Sequence, residues 1–330
     1  MFIIFRSIEE SKPCAKWKKR FEKNWGHYKR WFLSEGVEER PGYLTSRKKL
    51  NQYMPELISV YDDLCELSGG GDLESRYLSQ WCPPPYMSGC SQVAWIKEGP
   101  FLIRNYDYGI EHFEGTVLKS NWLKPVIGLV ESSWGLLDGI NSDGLIASLT
   151  FGGRKITGTG IGIPLIIRYV LETCSNVHEA IEVLIRIPVH MSYNVTVIDA
   201  NSEFYTVYLS PGHTAQVTNW AVGTNHQGQI EWPDYARISQ TVERKEFLDA
   251  CWLDPHETRA GLLQKFLEKP LFNKNYNKRF GTLYTAEYDA SLKNLNLYWH
   301  HLSFSQSFDH FKERKDMIQI TEGVSHKLTY

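Results

Sequence analysis

The sequence predicts an α+β fold, antiparallel sheets covered by helices, and three features carry that expectation. Short runs of β-branched and aromatic residues recur from residue 90 to residue 299. A block of helical periodicity interrupts them in the middle of the chain. Ahead of them lies a Lys-, Glu- and Leu-rich region with apolar residues three and four apart, closed off by Gly69-Gly70-Gly71 and Pro83-Pro84-Pro85.

In chain order, residues 10–35 and 46–67 are expected to be helical. Residues 68–89 are expected to form a loop or partly extended linker, because neither triplet continues a helix. From Cys90 the texture changes: CSQVAWI and PFLIRNYDY flank Lys97-Glu98-Gly99-Pro100 and read as a hairpin. Further strands are expected at 126–131, 145–151, 193–199, 204–209, 281–287 and 295–299, and helices at 163–174, 177–187, 238–250 and 258–268.

The 330 residues suffice for a large core. Lys and Arg number 36 against 38 Asp and Glu, a net charge of −2, which argues against nucleic acid as the main partner because phosphate binding needs concentrated positive charge. No run approaches the roughly 20 apolar residues of a membrane span. The start, MFIIFRSIEESKP, lacks the charged lead-in and apolar length of a secretory signal. Cys14, Cys65, Cys82, Cys90, Cys174 and Cys251 are scattered, without a CxxC pair or metal-ligand spacing. No metal or other cofactor is therefore expected, and reduced thiols in the cytoplasm are the simplest reading. Asn194-Val-Thr196 has the form of a glycosylation acceptor but falls inside an expected strand.

Cys90 is the residue with the most chemical context. It follows Gly89, opens the first β-run and sits just after the linker. If Glu98-Gly99 makes a two-residue turn, Cys90 pairs with Asp107, and a slip of one pairs it with Tyr108. Arg104 lies roughly 10 Å up the strand, and its long side chain can reach back. One hairpin thus offers a thiol, a carboxylate and a guanidinium. Each also has an ordinary reading: a buried Cys is often a small hydrophobe, and an Arg–Asp pair on a strand is often only a surface pair.

The segments GCSQVAW, FLIRNYDY, DGINSDGLIASLTFGG and WAVGTNHQ resemble, in order and spacing, the acyl-CoA:6-aminopenicillanic acid acyltransferase family and its relatives, the choloylglycine hydrolases and penicillin V acylases. GTLYTAEYDASLKNLNLYW fits the same pattern, and the resemblance covers about residues 50–300. It implies a four-layer αββα N-terminal-nucleophile hydrolase sandwich, two antiparallel sheets between helices. Residues 1–89 would be a helical pro-segment cut off by the protein yet remaining associated, and residues 90–330 the catalytic domain.

The resemblance also implies roles. Cys90 would be the nucleophile, and Arg104 and Asp107 would steady its thiolate and α-amino group. Asn225 and the backbone N–H of Thr150 would hold the oxyanion. A late arginine would complete the site, Arg244 being preferred over Arg237. An ordinary thiol has a pKa of about 8.5 and needs a base. A free α-amino group titrates near 7.7–8.0 and can be that base, but only once the Gly89–Cys90 bond is broken. Gly89 tolerates the backbone angles that bring a thiol onto the preceding carbonyl. The expected activity is hydrolysis or transfer of acyl groups in small acylated amides, with acyl-CoA among the candidate donors. Penicillin precursors, N-acyl amino acids, bile-salt conjugates, acyl-homoserine lactones and small peptides all fit.

Other signals have competing readings. TGTGIGIP (157–164) lacks the spacing of a nucleotide loop and reads as a flexible loop over the substrate mouth. His226 either polarises the site or is a hydrogen-bonded structural histidine. Asn141 is expected to fix a tight turn. Trp95, Trp122 and Trp134, with Tyr106 and Tyr108, either wall an acyl pocket or fill the core. The competing functional class is a non-catalytic, uncleaved scaffold of the same fold. A papain-like protease fits less well, because Cys90 starts a strand and not a helix.

Overall fold

The computed structural model describes residues 1–278 and 280–320. Two sheets form the centre. The first has nine strands, in spatial order β10 (Gln216–Thr218), β9 (Phe204–Leu209), β8 (Tyr193–Ile198), β7 (Ile146–Phe151), β6 (Gly135–Asn141), β5 (Pro125–Glu131), β4 (Thr116–Asn121), β1 (Phe2–Glu10) and β16 (Arg314–Gln319). The second runs β11 (Val222–Gly223), β2 (Gly89–Trp95), β3 (Phe101–Tyr108), β13 (Phe280–Asp289), β14 (Asn294–Trp299) and β15 (Leu302–Ser307), with β12 (Lys274–Asn275) beside β13. Among the described residues every pairing between these strands is antiparallel except β1 with β4.

The sheets face each other. Gln92 on β2 donates to Thr196 on β8 at 2.8 Å and accepts from Ser148 on β7 at 2.7 Å. Helices cover the outer faces: α5 (Ile163–Thr173) and α6 (Val177–Arg186) on the first sheet, α8 (Thr241–Leu253) and α9 (Arg259–Phe266) on the second. The four-layer αββα arrangement expected from the sequence is the one observed. Because β2 is sandwiched between a sheet and a helix, all seven of its residues are buried.

Differences from the expectation have local causes. Residues 2–10 form β1 because Ile3, Phe5 and Ser7 are buried while Phe2 and Ile4 are exposed, a two-residue period. The expected helix at 10–35 therefore begins only at α1 (Ala15–Phe32). The stretch at 46–67 is divided by Pro55 into α2 (Tyr43–Tyr53) and α3 (Ile58–Leu67). Gly69 and Gly70, both at positive φ, end α3, but Asp72–Leu78 then forms α4 inside what reads as linker. Gln240, at φ 51°, separates α7 (Pro233–Ser239) from α8 where one helix was expected. The strand β6 was not among the expected elements. Its Gly135 and Gly139 admit α5, since a Cβ there would lie 2.5 Å from Pro164 and 2.8 Å from Leu171.

The hairpin register also departs from the expected one. Cys90 pairs with Tyr106 and Gly89 with Asp107, neither of the two pairings considered. The ladder closes at Trp95–Phe101 around a five-residue connection, because Pro100 has no N–H with which to extend it. Asn141 behaves as expected, its Oδ1 accepting from the N–H groups of Asp143 and Leu145, each at 3.0 Å. The 157–164 segment is pinned rather than free: Cys82 N–H donates to Gly160 O, and Gly162 N–H to Gln80 O. Among the described residues no helix is long and apolar enough to cross a membrane.

Candidate active site

Cys90 sits second in β2, fully buried, with its side chain between the sheets. Arg104 is two residues further along the ladder, opposite Gln92, and its Nη2 lies 3.2 Å from Cys90 Sγ. The other end of that guanidinium is anchored in the facing sheet. Nη1 donates to Asp138 at 2.7 Å, and to Leu137 O and Ser148 Oγ at 3.2 Å. Asp138 in turn accepts from the hydroxyls of Tyr284 and Tyr288. Sequence reasoning missed these three residues, and only the stacking of the sheets joins them to Arg104.

The backbone of Cys90 is held from the opposite side. Its N–H donates to Asn225 Oδ1 at 2.9 Å. Arg244, from α8, donates through Nη1 to Cys90 O and to Ser91 Oγ, through Nη2 to Asn225 Oδ1 at 2.7 Å, and through Nε to Ser239 O. Arg237 is exposed and pairs with Asp234, so of the two candidate arginines Arg244 is the one at the site. Asn225 Nδ2 faces Ser88 O at 3.3 Å and Phe151 O at 3.4 Å, and Tyr235 donates to the same Ser88 carbonyl at 2.7 Å.

Asp107 lies against Gly89. A Cβ on Gly89 would come within 3.0 Å of Asp107 Cβ and 3.2 Å of Phe280, so glycine here serves close packing. Asp107 accepts from Thr282 at 2.6 Å and lies 3.9 Å from Arg244. Burial raises its pKa, against the pull of Arg244. Burial likewise pushes the Cys90 thiol up, and Arg104 is the chief opposing influence. Thr150 is one step removed: its hydroxyl donates to Thr224 O at 2.6 Å, tying β7 to the segment that presents Asn225. His226 contacts Thr241 at 2.9 Å and burial holds its pKa low, the setting of a structural histidine.

Two expected pocket residues lie elsewhere. Trp122 sits under the Arg168 guanidinium, and Trp134 donates to Leu78 O while its own carbonyl accepts from Arg168. Both belong to the α5 side of the first sheet, the face turned away from Cys90, where large rings fill the core. Trp95 is also on an outer face, against Trp252. Tyr106 does stand beside Cys90, directly across the strand pair. Among the described residues no group of His, Cys, Asp and Glu is arranged to hold a metal ion.

Residues 95–303 match the family model described as acyl-coenzyme A:6-aminopenicillanic acid acyl-transferase. That segment takes in Arg104, Asp107, Thr150, Asn225 and Arg244 and begins just after Cys90. Solved structures similar to this chain include a conjugated bile acid hydrolase mutant from Clostridium perfringens, at 13% identity over 72% of this chain and 99% of that one, TM-score 0.45. Penicillin V acylase from Agrobacterium tumefaciens is 15% identical over 68% and 90%, TM-score 0.45. A Caenorhabditis elegans ortholog of N-acylethanolamine-hydrolyzing acid amidase is 15% identical over 70% and 100%, TM-score 0.44. No curated protein gives a significant match.

Proposed function

The chain belongs to the acyl-coenzyme A:6-aminopenicillanic acid acyltransferase family, and on that premise we propose that it severs its own Gly89–Cys90 bond and then breaks or transfers small acylated amides through the Cys90 thiol. The observation that carries this reading is the set of bonds on Cys90 itself. One guanidinium is on its sulfur, an amide oxygen on its N–H, and a second guanidinium on its carbonyl.

In self-processing, Cys90 Sγ adds to the Gly89 carbonyl carbon and the C–N bond breaks. The thiol proton ends on the departing nitrogen, with Asp107 beside Gly89 available to carry it. Water then hydrolyses the thioester, leaving a carboxylate on Gly89 and a free thiol on a residue that now carries an α-amine. That amine, with a pKa near 7.7–8.0, is the base for its own sulfur. Arg104 favours the thiolate over the thiol, against the burial that disfavours it.

Scission also explains the occupied donors. Withdrawal of Ser88 frees Asn225 Nδ2 from one of the two carbonyls it faces, and that amide then holds the substrate oxyanion, while Thr150 sits in the β7–β8 ladder opposite Asn194. The protonated α-amine gives its proton to the leaving nitrogen, and water or a second amine resolves the acyl-enzyme. Arg244 keeps Asn225 and the Cys90 carbonyl in place throughout.

Residues 1–89 make up 89 of the 330 residues, hence about 10 of the 38.2 kDa. A denaturing gel of the purified protein should show this piece and one of about 28 kDa, the latter beginning with Cys90, while Cys90→Ala stays whole. A wild-type chain that remains intact through prolonged incubation defeats the proposal. The complete burial of Cys90 in the intact chain favours the scaffold as the second reading. A thiol probe that never labels Cys90 in the folded protein would select it.

A further inference from the structure

A cavity of about 140 Å³ is lined by His27, Tyr28 and Trp31 of α1, Tyr86 of the linker, Tyr108 of β3 and Glu131 at the end of β5. Tyr106, two residues before the lining residue Tyr108 on β3, connects the cavity to the nucleophile. It pairs across from Cys90, its ring lies 5.6 Å from that of Tyr108, and the Arg104 guanidinium lies 5.4 Å over it.

The polar atoms around this cavity are unbalanced. Glu131 is only 6% exposed, and its Oε2 is buried without a hydrogen-bond partner; the Tyr106 hydroxyl is likewise unpartnered. Such atoms are costly to bury unless a ligand satisfies them. Glu131 Oε1 shares the Tyr28 hydroxyl with Glu114, and Arg20 bonds Glu114 at 2.8 Å. Two carboxylates thus stand against one guanidinium. Among the described residues Glu131 has no cation of its own. His27 does not supply one, since burial and His112 hold its pKa low.

We propose that this cavity binds an ammonium group carried by the acylated substrate, a specificity that rests on the reading of Cys90 as nucleophile. An ammonium offers three donors and no acceptor, which suits Glu131 Oε2 and the Tyr106 oxygen together. The rings of Tyr86, Tyr108 and Trp31 give it a desolvated aromatic lining. The volume suits a short aminoalkyl end rather than a long acyl chain. Burial, reinforced by Glu114, raises the Glu131 pKa to about 8, so near neutrality the empty site holds a proton that an incoming ammonium displaces.

The test uses three amides that differ only by an ammonium in place of a methyl: 4-amino-N-butylbutanamide, N-(3-aminopropyl)pentanamide and N-butylpentanamide. Binding is measured by calorimetry on the full-length Cys90→Ala chain, with turnover followed separately on the native protein. One of the two ammonium probes, which tells whether the charge sits on the acyl or the amine half, should bind at least about tenfold tighter than the neutral one, the value of one charge-assisted hydrogen bond. Glu131→Gln should bring that ratio near unity, and Tyr106→Phe should narrow it severalfold. Equal binding of all three probes, or a preference that survives both substitutions, overturns the proposal. Preference without turnover would count against the nucleophile alone, and turnover without preference against the ammonium site alone.

Discussion

Arg104 joins chemistry to stability, and the two can be separated. It touches the Cys90 sulfur at one end and Asp138 at the other, with both charged side chains wholly buried. Replacing it by Met removes one partner of a buried ion pair, a loss of about 3–5 kcal/mol. Asp138 keeps the Tyr284 and Tyr288 hydroxyls, and burial already raises its pKa, so it can take up a proton. The loss should therefore fall near the lower bound, about 3 kcal/mol. Adding Asp138→Asn removes the stranded carboxylate and should restore most of it. The sulfur gains nothing from that second change. Without the guanidinium, self-cleavage should stay slower by about 30–160-fold, the equivalent of one hydrogen bond to a charged group at 2–3 kcal/mol. Urea titrations by tryptophan fluorescence, in a Cys90→Ala background so that every chain is whole, give the first quantity. A timed denaturing gel gives the second. A double variant that cleaves at the wild-type rate would show that Arg104 only props the sheets together.

Asn225→Asp keeps the oxygen that accepts from Cys90 N–H and Arg244 but loses the amide donor, so turnover should fall about 10²–10³-fold; unchanged turnover on a purified cleaved sample would remove Asn225 from the oxyanion role. Glu131, surrounded by Glu114, Tyr28, Tyr106, Tyr108 and the His27–His112 pair, binds a proton more tightly folded than unfolded. Its contribution is therefore complete below about pH 4.5 and lost as pH rises through about 8, some 3–5 kcal/mol in all. Cys90→Ala should lose stability over that window more steeply than Cys90→Ala/Glu131→Gln, and parallel curves would contradict the assigned shift.

What was legible in the sequence follows from how far apart the cooperating residues lie. Cys90, Arg104 and Asp107 share one hairpin, so strand geometry alone brings them near each other even with the register off by one. The error itself was chemical: Pro100 cannot extend the ladder, and a five-residue connection replaced the expected two. Asn225 and Arg244 could be named only through the family motif and its neighbourhood, because 135 and 154 residues separate them from Cys90. Asp138, Tyr284 and Tyr288 carried no signal. Their meeting with Arg104 is a product of sheet stacking, which no periodicity within a strand encodes. Trp122 and Trp134 failed for a related reason: an aromatic ring suits a substrate wall and a helix–sheet core equally well, and which face it takes depends on Gly135 and Gly139 admitting α5.

The same topology limits what self-cleavage can release. Residues 1–89 contain β1, which is paired on both edges, with β4 and β16. They also bury Trp17, Phe21, Tyr28 and Phe32 on α1, with Trp17 donating to Ser133 O, Tyr77 contacting Ser133 Oγ, and Leu78 O accepting from Trp134. Five or six such side chains facing the remainder contribute about 8–15 kcal/mol before the strand hydrogen bonds are added. Association of two bodies costs an estimated 4–15 kcal/mol, so burial alone roughly breaks even. The two flanking ladders decide the outcome, because peeling β1 away would leave the edges of β4 and β16 unpaired. After scission the two pieces should therefore co-elute in native size-exclusion chromatography at the position of the whole chain, and part only in denaturant. Recovery of the small piece by itself from a native column would mean that β1 is not held as the pairing requires, and that the cavity wall formed by α1 is lost with it.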